Sequence, residues 1–90
     1  MESEHQSAVV ELIAFFEIGT GTKLDNVTKL ACVNRFLARR TVWGDLNLAQ
    51  LRKERQHSAL RNNAARNLIN GDNIDALNLM MLAFYVGAQR

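Results

Sequence analysis

Apolar residues recur along this 90-residue chain with helical spacing, and five glycines divide the recurrence into four stretches. Across residues 5–18, Val9, Leu12, Ile13 and Phe16 fall at i, i+3, i+4 and i+7, the mark of one apolar helix face. The run Gly19-Thr20-Gly21-Thr22 follows, and Gly19 is suited to the left-handed cap that ends this helix. Thr22, with Asp25 three residues on, predicts a capping box for a second helix. Its expected buried stripe is Val27, Leu30, Ala31, Leu37 and Ala38, and it stops near Trp43-Gly44.

Asp45 is the expected cap of a third helix that reaches Ile69, with Asn70-Gly71 as its stop. At about 100° per residue, Leu46, Ala49, Leu60, Ala64 and Leu68 share one face, while Leu48, Leu51, Ala59 and Ile69 share the opposite one. Two stripes on one helix predict two packing neighbours. Arg52, Arg55, Asn62 and Arg66, at i, i+3, i+10 and i+14, interrupt the second stripe, so this helix is not simply core. Asp72 and Asp75 repeat the cap pattern at the head of a fourth helix. From Leu77 to Val86 that helix is apolar nearly all the way round, which predicts burial on all sides or a place in a subunit interface.

Composition sharpens this picture. Globular chains carry about 5% proline, so its absence here points to an all-α chain built almost entirely of helices. The length predicts one domain, and at this size folding buries only a little over ~60% of the extended-chain surface. A partner subunit is therefore expected: three to four helices per chain forming a helical homodimer, with Leu48, Leu51, Met80, Met81 and Phe84 at its interface.

The net charge of +2 conceals a segregation. Residues 1–22 hold Glu2, Glu4, Glu11 and Glu17 and no cation, giving −4. Residues 23–66 hold ten Lys and Arg against Asp25, Asp45 and Glu54, giving +7, and Asp72, Asp75 and Arg90 leave −1 in the remainder. A basic middle between acidic ends is either a solvated helix surface or the footprint of an acidic or polyanionic partner.

Little points to catalysis. His5 and His57 have no neighbour at nucleophile–base spacing and are expected to be exposed histidines on helix surfaces. Cys32, beside Ala31 and Val33, reads as a small buried residue, and the lone cysteine suits a reducing compartment. No Cys/His pair has metal-ligand spacing, Gly19 to Thr22 lacks the context of a phosphate loop, and Asp72 and Asp75 are accounted for by capping. No enzyme activity, metal or cofactor is expected. The acidic start MESEHQ is unlike a targeting signal, and no apolar run is long enough to span a bilayer, so a cytoplasmic or nuclear protein is expected. A helix-turn-helix across Ala64 to Phe84 is rejected because its second helix begins with two aspartates that repel phosphates.

Gly44-Asp45, then Leu51-Arg52-Lys53-Glu54-Arg55, then Leu60-Arg61 resemble the N-terminal RNA-binding domain of the influenza virus non-structural protein 1. Cys32, Phe36-Leu37 and Arg39-Arg40 look like the end of that domain's first helix, and Gly71 to Ala76 with Met80-Met81 like its third. The likeness covers about residues 24–90, leaving residues 1–22 as an acidic extension of a domain at 23–90. It implies an intertwined homodimer that binds double-stranded RNA and counters the host antiviral (interferon) response, within a host cell. The RNA-binding residues so implied are Arg39, Arg40, Arg52, Lys53, Arg55, Ser58, Arg61, Asn62 and Arg66. Aligned without gaps at Leu51, Lys53 takes the place of the family's key arginine and Gln56 that of its basic companion; aligned at Leu60-Arg61, Arg55 does, with Arg52 in support.

The second register agrees better with the Arg52, Arg55 and Arg66 stripe of the third helix, and beside the resemblance stands the physics of duplex RNA. Its bases lie in a deep, narrow groove, so an Arg/Asn/Ser surface without exposed aromatics reads shape and backbone, and single strands would call for aromatic platforms. The alternative is a non-catalytic helical adaptor or inhibitor that docks host proteins through Leu79 to Val86 or through the basic stripe. No membrane partner is expected.

Overall fold

A computed structural model describes residues 2–43, 46–50 and 57–87, and every long element among them is helical. These elements are α1 (Glu2–Thr20), α2 (Asn26–Trp43), α3 (His57–Ile69) and α4 (Asn73–Gly87), with residues 48–50 helical as well. The expected helix from Asp45 to Ile69 begins later than the sequence suggests. Leu46 and Asn47 are not helical, and the Asn47 side chain accepts from the Gln50 N–H at 3.0 Å as the cap; Asp45 and residues 51–56 lie outside the described residues.

α4 is the central element, in contact with α1, α2 and α3. Ala76, Asn78, Met81, Ala83, Tyr85 and Val86 are buried along it, as its nearly continuous apolar sequence demands. The core joins Met81 and Tyr85 to Val9, Leu12 and Ile13 of α1, to Cys32 of α2 and to Leu48. Within the stretch 1–22, α1 supplies one wall of the core that the described residues show. Phe15 lies edge-on to Tyr85 with ring centroids 4.9 Å apart, and Phe16 edge-on to Phe84 at 5.7 Å.

Helix ends depart from the simplest reading in instructive ways. Gly19 stays inside α1, and Gly21, at φ 70°, takes the left-handed position instead. A Cβ on Gly19 would lie 2.6 Å from two ring atoms of Phe84, so Gly19 is there for close approach rather than for a turn. Asp25, not Thr22, caps α2, accepting from the Thr28 N–H at 2.8 Å. Between α3 and α4 the expected stop is realised in full. Gly71 is at φ 85°, its N–H donates to the Leu68 carbonyl, and the Asp72 N–H donates to the Asn67 carbonyl, the paired bonds of a Schellman motif. Asp72 then caps α4 by accepting from the Asp75 N–H at 3.2 Å.

The largest correction concerns α2. Val27 and Leu30 are 78% and 61% exposed, Ala38 is exposed, and Ala31 and Leu37 are only half-buried. The inward face is instead the one with Cys32, Val33 and Phe36. Arg35 and Arg39 flank it and reach the aspartates of α4, which sets the rotation of the helix. Arg35 lies 2.7 Å from Asp72 and 3.2 Å from Asp75, and Arg39 lies 2.9 Å from Asp75. Asn78 adds a buried tie, its Nδ2 donating to the Cys32 carbonyl at 3.2 Å.

His5 is also corrected: it is buried, and its Nδ1 accepts from the Leu46 N–H at 3.0 Å, fastening the stretch before Leu48 to α1. His57 lies outside the residues whose side chains are described. Of the expected interface residues, Met81 and Leu48 lie in the chain's own core, and Phe84 packs on Phe15, Phe16 and Gly19. Met80 is half-exposed, and Leu51 lies outside the described residues. The folded chain still exposes 5948 Å², against about 5,300 Å² for a compact monomer of this mass.

Two outcomes follow from this packing. Overfilling a packed site costs about 1–3 kcal/mol, more than the ~1 kcal/mol of helix propensity that alanine gains over glycine. Gly19→Ala should therefore lower the urea midpoint, whereas in a Phe84→Leu background it should not. The Asp72 carboxyl is held below the usual range, first by the Asp75 N–H and then by the Arg35 guanidinium. A depressed folded pKa contributes stability that is present above the unfolded aspartate value, about 3.9, and is lost as pH falls through the folded value. Acidification below about pH 4 should thus destabilise the protein, and less so in Asp72→Asn, which keeps a capping oxygen but loses the charge.

Candidate nucleic-acid interface

α3 rests mainly on α4, with Ala64 buried and Leu60 and Asn67 half-buried. Taking about 100° per residue from Ser58, Asn62 falls near 40°, Arg66 near 80°, Ala65 near −20° and Arg61 near −60°, all turned away from that contact. All five are exposed. Ser58, Arg61, Asn62 and Ala65 stand side by side along this open face. The second neighbour expected for α3 is not among the described elements, and Ile69 at the end of the same face is 85% exposed.

Charge divides the basic residues into two groups. Lys29 pairs with Glu17 at 3.4 Å, and Arg35 and Arg39 pair with the aspartates of α4. Much of the opposition between the basic middle and the acidic ends is thus satisfied within the fold. Arg39, expected in the RNA-binding set, is part of this internal network, and Arg40 is half-buried at the same end of α2 with a partner of its own. By contrast, Arg61 and Arg66 make no ion pair or side-chain hydrogen bond among the described residues. Arg52, Lys53 and Arg55, which distinguish the two registers, lie outside the described residues.

The structure therefore brings together Ser58, Arg61, Asn62 and Arg66 on one face, and holds Arg39 on another helix in an ion pair with Asp75. The acidic α1 packs on α2 and α4 and leaves the outward face of α3 uncovered. Sequence reasoning missed that Asp72 serves both as cap and as ion-pair partner, and that the Asp75 carboxylate serves Arg35 and Arg39 while its N–H is the one capped. The signal was available in Arg35 and Arg39, which are spaced i, i+4 on one helix face opposite two carboxylates spaced i, i+3 on another.

The Cys32 thiol is buried in the core, and burial pushes its pKa up, as for a packing cysteine. Among the described residues no group of His, Cys, Asp and Glu is arranged to hold a metal ion, and no helix is long and apolar enough to cross a membrane. No protein family matches the chain, and neither a curated protein nor a solved structure matches it.

If Arg61 and Arg66 serve a partner and not the fold, Arg61→Ala and Arg66→Ala should stay within about 0.5 kcal/mol of the parent in urea unfolding. Arg35→Ala, which unties a bridge to two carboxylates, should cost about 1 kcal/mol.

Proposed function

We propose that the chain binds double-stranded RNA without regard to sequence, as a homodimer, through the outward face of α3. One observation carries the reading: Arg61 and Arg66 flank Ser58 and Asn62 on an exposed helix face and make no ion pair or side-chain hydrogen bond among the described residues. Cations on a surface with hydroxyl and amide donors suit phosphate and ribose contacts. The described part of the face carries no aromatic residue, which favours a duplex over a single strand. From Ser58 to Arg66 a helix rises about 12 Å, enough for few phosphates, and a twofold copy doubles the track. On the resemblance to the influenza domain, the proposed setting is a viral antagonist of the host interferon response, acting in the host cytoplasm or nucleus.

A second reading, the non-catalytic adaptor, draws on Ile69, whose exposed apolar side chain closes the same face. Its docking surface cannot be Leu79 to Val86 as a unit, since Met81, Ala83, Tyr85 and Val86 are buried.

The deciding experiment is a gel shift with an RNA duplex of random sequence, its DNA counterpart and the single strands. Only the RNA duplex should bind tightly, with affinity falling steeply as salt rises. Arg66→Ala should weaken binding and flatten the salt slope by about one unit for each phosphate that is no longer neutralised. Arg55→Ala should weaken it more than Lys53→Ala if the Arg52, Arg55, Arg66 stripe is one face. Equal binding of duplex DNA or single strands would remove the duplex-RNA reading. Failure of the folded protein to bind any nucleic acid would favour the adaptor.

A further inference from the structure

The outward face of α2 runs against the usual order of a surface helix. Polar and charged residues normally occupy the solvent side, yet here the solvent side holds Val27, Leu30, Asn34 and Ala38, with Leu37 half-buried at its edge. The helix does have charges, but it turns them elsewhere. Lys29, Arg35 and Arg39 reach the carboxylates of α1 and α4, and Arg40 is half-buried. No charged residue lies on the arc from Val27 through Leu30 and Asn34 to Ala38. A polyanion or a charged membrane surface would find nothing to hold there.

The spacing on this face is informative. Val27, Leu30, Asn34 and Leu37 stand at i, i+3, i+7 and i+10, and Thr41 continues the register at i+14. That is the a and d pattern of a heptad: Val27 and Asn34 at a, Leu30 and Leu37 at d, with Cys32 at the opposite f position, where it is fully buried. The flanking e positions are Ala31 and Ala38, small enough to admit a facing helix. β-Branched a residues with leucine at d favour two strands. An asparagine in the middle of such a seam carries both a donor and an acceptor, and is satisfied by an identical asparagine across a twofold axis.

We propose that this face of α2 is a self-association seam, covered by the same face of a second copy of the chain, the two helices running parallel with the twofold axis along the seam and the two Asn34 side chains facing across it. The inference rests on the homodimer reading above and assigns its contact. It moves the interface from the buried Leu48 and Met81 to residues that the single chain leaves open.

Sedimentation equilibrium on the full chain tests it, with Leu30→Lys and Asn34→Lys as seam variants and Leu68→Lys and Met80→Lys as variants at other exposed apolar positions. The seam side chains are exposed, so both seam variants should keep their helical circular dichroism. Each places two like charges at the seam and should weaken dimerisation by about 100-fold or more. The other two variants should sediment as the parent does. A parent that is a monomer at high micromolar concentration would overturn the seam and the homodimer together. A parent dimer that survives both seam lysines overturns the seam alone, whether or not Leu68→Lys or Met80→Lys dissociates it.

Discussion

The structure depends on covering α4. A helix apolar nearly all round has no side that tolerates water, and a chain of 90 residues has only three other long described helices with which to enclose it. Each of the three gives one face to α4 and turns the other outward. Within that enclosure two polar contacts fix the rotation of the helices. Asn78 must bond the Cys32 carbonyl because a buried amide without partners is costly. Arg35 then spans Asp72 and Asp75 at the rim, where water still reaches the pair. The outward faces of α2 and α3 are residues of this solution: they hold whatever the covering of α4 does not use.

The charge pattern takes on a different meaning once the helices are packed. A segregated sequence suggests a segregated field, but α1 and the head of α4 lie against α2, and opposite charges meet there. Pairs of this kind at a solvated rim contribute little stability, about 0–1 kcal/mol each. Their larger effect is to select one rotation of α2 from several with similar apolar burial. Among the described residues, Lys23 before α2 and Arg61 and Arg66 on α3 remain without an ion pair, a smaller set than the basic middle as a whole.

Element type was legible for α1, α2 and α4, because period and glycine placement agree: they lie within a few residues of their expected positions, and the stop at Asn70-Gly71 is realised bond by bond. Faces were less legible. In α2 the sequence offers two apolar stripes, Val27/Leu30/Ala38 and Cys32/Val33/Phe36, and periodicity alone cannot choose between them. The choice is made by Arg35 and Arg39 seeking carboxylates far along the chain, a non-local interaction. His5 eluded the reading for a similar reason: its partner is a backbone N–H at Leu46, which no side-chain pattern records. For the candidate site, Asn62 and Arg66 of the sequence stripe are exposed on one face with Ser58, whereas Arg52 and Arg55 lie outside the described residues; the partner of Arg39 lies on another helix, which no local spacing records.

Asp72 gives the fold a joint without slack. Its N–H closes α3, its carboxylate opens α4, and the same carboxylate receives Arg35 from α2. Orientation is transmitted through such a joint as through a keyed shaft: a residue added to the last turn of α3 would carry the rest of that helix round by about 100°. Ser58, Asn62 and Arg66 would then point along α4 or into it. Individual side chains on the outer face can drift with little effect on folding, but the length of the turn that aims them cannot.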